Sequence, residues 1–302
     1  MRSNRLAAEA TIVEEALRPK PSRLQGALSL ARQKPLGAAS LVIIVVLVVV
    51  AVLAPLLAPY DPYQVNYGAR LAPPGSRFLF GADGVGRDVL SRVIFGARIS
   101  LYVGVTAVTI GTLGASILGL ICGFWGGKLD FVIQRFVDAK MCFPAIILAL
   151  ALMTVLGASI NNVVIAIAIV IIPGDSRIVR GAVLSVKENP YIEAARCLGA
   201  SNWRIILRHI LPNVTAPILI MYSAWLGAAI LTEASLSFLG LGTPPPMPSW
   251  GGMLSGEGRR NMEQAPWLAI FPGLAISMTI FAFNLFGDAV RDVWDPRLRG
   301  TR

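Results

Sequence analysis

One histidine, three cysteines and only 15% charged residues in a chain of 302 leave little side-chain chemistry to draw on. Nucleophilic catalysis needs a base beside its nucleophile, and the single histidine, His209, has no evident serine or cysteine partner. No phosphate-cradling Gly-x-x-x-x-Gly-Lys-Ser/Thr loop is present. Its nearest match, Gly127-Lys128, has Cys122 in place of the first glycine and Leu129 in place of the hydroxyl, so the chain is not expected to hydrolyse ATP. Cys122, Cys142 and Cys197 form no Cys-x-x-Cys pair and none falls in an oxidising loop, which argues against a disulfide and against a metal site. The run Asp83-Gly-Val-Gly-Arg87-Asp88 lacks the alternating oxygen ligands of a calcium loop, and a structural ion pair or a docking contact is expected there. No cofactor and no catalytic residue is expected.

Apolar residues, by contrast, make up 55% of the chain and its mean hydropathy is +0.66, values of a protein dissolved in lipid rather than water. A bilayer core about 30 Å thick takes roughly 20 apolar residues per helical crossing. Leu36–Ala58 and Ile99–Gly127 meet that condition, the second with glycines at 104, 111, 114 and 119 that offer close helix approach. Met141–Gly174 would be about 50 Å long as one helix, so it is read as a hairpin of 139–156 and 160–173 turning at Gly157-Ala-Ser-Ile-Asn-Asn162. Residues 210–232 and 264–287 complete six spans. The uncharged stretch 234–256 is excluded as a span by Gly240, Gly242, Pro244, Pro245, Pro246 and Pro248. Glu233, at the end of the fifth span, either meets a solute or sits at the interface without a function.

Basic residues near spans mark the cytoplasmic side. Seven precede residue 36, three follow span two, six follow span four and four close the chain, twenty of the 27 in all. Both termini are therefore expected inside, with a tail over 1–35, an extracytoplasmic segment over 59–98, a five-helix core over 99–288, an outer loop over 234–263 and a cytoplasmic end over 289–302. This bias accounts for the net charge of +10 without a nucleic-acid partner. The first apolar run begins 35 residues in and is long enough to remain an anchor, unlike a signal peptide.

The internal cytoplasmic segment 175–212 reads as two short helices. Asn189-Pro190 supplies an N-cap and a proline at the first helical position, Glu193 lies near the positive end of the dipole, and Gly199 ends the helix. Ser201 caps a second helix carrying Trp203, Ile206, Leu207 and Ile210 until Pro212 stops it. Spacing alone leaves two readings open. The bent knob could enter a partner's cleft, with Ala194, Ala195 and Gly199 keeping one face small and Glu193 and Arg196 orienting it. Equally, it could lie along the membrane or against its own bundle.

The run Glu193-Ala194-Ala195-Arg196-Cys-Leu-Gly199 through Ile210-Leu211-Pro212 resembles the EAA loop of bacterial ABC importer permeases, with His209 where the pattern has isoleucine. From about residue 30 onward the chain resembles the C-type subunit of dipeptide and oligopeptide permeases. The resemblance rests on Phe80-Gly-Ala-Asp83-Gly-Val-Gly86-Arg87-Asp88 with Gly96-Ala-Arg98-Ile-Ser100, on Pro248-Ser-Trp250-Gly251, and on Asn284-Leu-Phe-Gly287-Asp288 with Arg291-Asp292 and Asp295-Pro-Arg297. It implies an all-α membrane protein with the type I importer permease fold, paired with a second permease, two ATP-binding subunits and an extracytoplasmic solute-binding protein. It further implies that the loop around Glu193 seats in a groove of an ATPase and that short peptides, or else nickel or glutathione, are the cargo. Asp83, Arg87, Asp88, Trp250 and Glu233 are the candidates for pathway or receptor contact. An ion-coupled transporter would instead place ionisable residues near the bilayer midplane, and none is expected there. An intramembrane hydrolase is opposed by the missing catalytic pair.

Overall fold

A computed structural model describes residues 34–294. The basic tail before Lys34 and the motif Asp295-Pro-Arg297 lie outside the described residues. Among those described the chain is helical, with no strand beyond an isolated bridge between Ala82 and Asp88. The helices are α1 (Pro35–Val52), α2 (Ala54–Leu57), α3 (Val89–Trp125), α4 (Gly127–Met141), α5 (Ala145–Leu156), α6 (Ile160–Lys187), α7 (Pro190–Cys197), α8 (Asn202–Ile205), α9 (Leu211–Phe238), α10 (Trp250–Leu254), α11 (Glu257–Arg260) and α12 (Trp267–Trp294). A π-helical turn, Ile206–Ile210, joins α8 to α9.

Five of these elements are long and apolar enough to cross a membrane, and α4 with α5, bent by 94°, makes a sixth if the pair is one broken span. Helix direction decides in favour of six crossings. A Cβ at Gly111, Gly119 or Gly123 of α3 would lie 2.6–3.0 Å from Cβ of Ile171, Val179 or Val183 of α6, respectively. The partner number rises in step with the glycine number, so α3 and α6 run parallel, and the bent pair between them must carry the chain back across. The same glycines let the two backbones approach as closely as small residues allow in lipid. The α9 helix runs the other way: Gly104 abuts Ile230 while Thr109 Oγ1 lies 3.2 Å from Tyr222 Oη. The α12 helix is antiparallel to α9 in turn, with Gly227 facing Asn284 and Gly287 facing Ser223. An ion pair between Lys34 and Asp292 then sets the start of α1 beside the end of α12, so both ends of the described chain lie at one end of the bundle.

Several expected boundaries move. Span two begins at Val89 rather than Ile99, so Arg92, Gly96 and Arg98 belong to the helix. Asp88 caps it, its Oδ2 accepting from the Ser91 amide and hydroxyl at 2.7 Å each. The charge of Arg92 does not end the span, because its guanidinium is buried and donates to the Pro62 carbonyl at 3.0 Å. Span four does not end at Pro173 but continues to Lys187, so Asp175, Arg177 and Arg180 are helical and not part of a loop. The third span starts after a break at Cys142–Pro144, its preceding helix leaning away as α4. The turn at Gly157 falls where the sequence put it, with φ of 83° there and the Asn162 amide donating to the carbonyls of Leu156 and Gly157.

Two main apolar cores result, beside two small clusters around Phe78 and around Leu268. The larger fills the bundle between α3, α5, α6, α9 and α12, and includes Val103, Met153, Ile167, Ile171 and Ile230. The smaller lies at the end where α3 and α6 finish, formed by Phe124, Val179, Val183, Ile192, Ile205, Ile206, Ile210, Val214 and Met221. The opposite end carries a cap made of residues 59–88 and 239–266. There Trp250, 1% exposed, sits over Gly96 and donates its indole N–H to the Val93 carbonyl at 2.9 Å.

Candidate functional site

The end with the smaller core carries the knob. Ile192 of α7 and Ile205 of α8 are buried in that core, with Ala195 partly covered. Burying each isoleucine from water is worth about 1.5–3 kcal/mol, enough to hold two short helices in place. The opposite face is open: Glu193, Ala194, Arg196 and Gly199 are exposed, and Leu198 is 88% exposed. The packing of the knob against its own bundle is therefore realised on one face, and the other face is left exposed.

Its bend is built by hydrogen bonds that a glycine makes available. The Gly199 amide donates to Arg196 O at 2.9 Å and the Ala200 amide to Ala195 O at 3.0 Å, with Gly199 at φ 78°. That pair of bonds closes a helix with a left-handed residue, where any side chain is strained. Ser201 Oγ then accepts from the Arg204 amide at 3.4 Å to start α8, and Tyr191 and His209 bring their rings within 6.4 Å across the bend.

Two local expectations are corrected. Asn189 occupies the N-cap position of α7, but its side-chain amide turns back to donate to Ser185 O and Val186 O in the last turn of α6. Pro212 does not stop the second helix. The π turn has already shifted the ladder, so that the Leu211 amide bonds Ile206 O, and the exposed Pro212 enters the first turn of α9, where its missing N–H costs nothing. From Asn202 to Phe238 the path is thus continuously helical, with Leu211 half-buried at the joint.

At the cap end Asp83 organises its own loop. Its Oδ1 accepts from the amides of Val85 at 3.0 Å and Arg87 at 2.9 Å, and its Oδ2 accepts from Arg87 Nε at 2.6 Å. Arg92 Nε lies 3.7 Å from the same oxygen. Asp83, Arg87 and Arg92 line a cavity of about 390 Å³ with Thr243, Pro245, Pro246 and Met253. Asp88 and Trp250 are not on its wall: both are buried, one as a helix cap and one as the wedge over Gly96. Glu233 is fully buried in α9, accepting from Ser100 of α3 at 3.1 Å and from Ser237 at 2.8 Å. Ser237 Oγ accepts in turn from the Thr243 amide at 3.2 Å, which ties the cap loop to the carboxylate.

The sequence reading left an acidic side chain out of the bundle interior, and the structure supplies one. Asp175, 3% exposed on α6, accepts from Trp225 Nε1 of α9 at 2.8 Å. The signal was present: apolar residues continue beyond it at 178, 179, 183 and 186, the spacing of a helix and not of a linker.

Comparison with known proteins bears on what this frame belongs to. The family of binding-protein-dependent transport system inner membrane components matches residues 115–300, which include the knob. The chain belongs to this family. The N-terminal transmembrane domain of oligopeptide transport permease C matches residues 22–74, the region of α1 and α2. A dipeptide transport system permease protein of Alkalihalophilus pseudofirmus is 42% identical over 268 residues, covering 89% of this chain and 88% of the relative. A glutathione transport system permease protein of Pectobacterium atrosepticum is 46% identical over 247 residues, 82% of each. A probable D,D-dipeptide transport system permease protein of Escherichia coli is 41% identical over 288 residues, 94% of this chain and 96% of the relative. The protein is a multi-pass permease subunit of an ABC importer, and such a system works with further permease, ATPase and solute-binding components.

Proposed function

We propose that this permease forms, with a second permease, the inner-membrane pathway for short peptides, and that two separate ATP-binding subunits drive it by seating the α7–α8 knob. The observation that carries this reading is the division of the knob into a buried face at Ile192 and Ile205 and an open face at Glu193, Ala194, Gly199 and Leu198. The open face is small beside Ala194 and Gly199 and charged at Glu193 and Arg196, the form of a ridge that enters a cleft. The α6 helix ends at Lys187, just before the knob, and α9 continues from it without a helical break. A push on the ridge reaches two spanning helices as a lever, and a bundle with two packings converts that into alternate opening.

Twenty of the 27 basic residues fall with the knob, with α4 or with the chain ends, which supports a cytoplasmic knob, cytoplasmic termini and a cap facing the solute-binding protein across a bacterial inner membrane. The chain itself is read as non-catalytic, with ATP hydrolysis left to its partners. Relatives named for glutathione transport favour a second cargo of the same size and charge class. Nickel is the remaining alternative.

The test is uptake of labelled dipeptides, glutathione and nickel by proteoliposomes holding the permease, its partner permease, the ATPases and the cognate solute-binding protein. Uptake should need ATP and be lost in Glu193→Lys with membrane insertion unchanged. ATP-coupled uptake persisting in that variant would remove the knob from the mechanism.

A further inference from the structure

We propose that Phe124 and Trp125, the last two residues of α3, are positioning residues that pass the movement of the knob to α3, a third route beside the covalent joints to α6 and α9. The inference rests on the reading of the knob as the ATPase contact.

The smaller core is drawn from residues 179–221 with one buried exception, Phe124, which arrives from a different part of the chain. It is 4% exposed and gathers groups from both sides of the knob. Lys187, at the end of α6, donates from Nζ to the Phe124 carbonyl at 2.6 Å and lies 5.8 Å from the centre of its ring. Arg196 of α7 brings its guanidinium carbon within 5.6 Å of the same ring. Trp125 meets the Phe124 ring edge-on at 5.1 Å and continues to Trp203 of α8, edge-on at 5.7 Å. Each helix of the knob therefore has its own aromatic or cation–ring contact with the end of α3, a geometry that favours one relative position of ring and cation over others.

The end of α3 is well placed to use that hold. Gly123 brings it against α6, where a Cβ would lie 2.7 Å from Val183 Cβ, and Gly104 brings its far half against Ile230 of α9. A shift of the knob that drags Phe124 is thus felt along α3, which packs on both of the helices the knob already moves. With α3 held, the three helices move together. Without it, the knob can follow the ATPases while α3 stays behind, and ATP is hydrolysed with less transport.

The experiment uses the whole transporter in proteoliposomes with its solute-binding protein, comparing Phe124→Leu, Trp125→Leu, Phe124→Tyr and Glu193→Lys. Co-purification reads assembly, and ATP hydrolysed per solute imported reads coupling. Phe124→Leu and Trp125→Leu should assemble normally and raise the ATP hydrolysed per solute about fivefold, while Phe124→Tyr, which keeps the ring, stays near the parent. A parental ratio in both leucine variants overturns the inference, as does a tyrosine variant as wasteful as the leucine one. If Phe124→Leu fails to assemble, Trp125→Leu decides alone, its side chain being 42% exposed and its removal tolerable to the fold. Glu193→Lys separates the two ideas. A change there with parental aromatic variants defeats only the α3 route, whereas no change there defeats the docking reading on which it rests.

Discussion

The ammonium of Lys140 donates to the carbonyl of Ile169, the carbonyl four residues before Pro173. Proline has no N–H, so Ile169 O is the acceptor that α6 leaves without its helical donor. A lysine from α4 supplies the bond that the proline removes, and this is how α6 passes through Pro173 and reaches Lys187 as one helix.

Lys140→Met should therefore lower the stability of the detergent-solubilised permease by about 1 kcal/mol, the cost of leaving a part-buried acceptor unpaired. In a Pro173→Ala background the new backbone N–H restores the helical donor and the lysine loses that task. Thermal unfolding of the parent, the two single variants and the double variant checks this. An equal penalty for Lys140→Met with and without the proline would show that the lysine acts elsewhere.

Gly199→Ala tests the bend of the knob. Nothing lies within 4 Å of the position an added Cβ would take, so the substitution meets no clash and bears only the strain of the left-handed backbone. The expected loss is about 1 kcal/mol, read by hydrogen exchange at the amides of Gly199 and Ala200, which the bend protects. Uptake should fall further than global stability if the angle between α7 and α8 sets how the ridge enters its groove. Unchanged exchange at those two amides would mean that the bend holds without glycine.

Much of this frame is readable in the residues, and the misreadings share a cause. Apolar length located every crossing, and Gly157 and Gly199 located two turns, because only a glycine relieves a positive φ cheaply. Charge and proline are the misleading signs. Pro173 reads as the end of a span and Arg92, Asp175 and Arg177 as lying outside one, yet each has a partner from far along the chain: Pro62 for Arg92, Trp225 for Asp175, Asp138 for Arg177 and Lys140 for the carbonyl behind Pro173. Such partners lie 29 to 50 residues away, beyond any local pattern. The Phe124 contacts were hidden for the same reason. A phenylalanine at the end of an apolar run carries no mark of the two cations that come to it from 187 and 196.

Asp175 and Trp225 give a sharper test of polar pairing inside the bundle. The Asp175 Oδ2 atom is buried with no hydrogen-bond partner in the described chain, so Trp225 Nε1 on the other oxygen is the bond that ties this side chain to α9. Trp225→Phe should cost about 2–3 kcal/mol, because it strands the whole carboxyl group. Asp175→Leu together with Trp225→Phe should recover part of that loss, since removing both partners leaves no unpaired acceptor. Unfolding midpoints of the single and double variants decide the matter. A double variant worse than the sum of its parts would mean that the carboxyl has another role in the packing of α6 against α9.

Glu233 links the bundle to its cap through two hydroxyls that are not equivalent. Ser100 gives one bond to Oε2 and makes no other side-chain bond among the described residues, whereas Ser237 donates to Oε1 and accepts from the Thr243 amide. Ser100→Ala should cost about 1 kcal/mol of stability, and Ser237→Ala about twice that, since it removes one donor and one acceptor. The two variants should also differ in kind. Loss of the Thr243 anchor frees the turn over residues 240–246, so limited proteolysis and amide exchange there should speed up in Ser237→Ala and stay at the parental rate in Ser100→Ala. Glu233→Gln keeps one acceptor oxygen and gains an amide donor that the second hydroxyl can accept, so it should resemble the parent in loop protection. Glu233→Leu should leave Ser100 and Ser237 without their shared acceptor and loosen α3 from α9 as well. Equal loop exchange in Ser100→Ala and Ser237→Ala would show that the carboxylate holds the two helices together but not the cap above them.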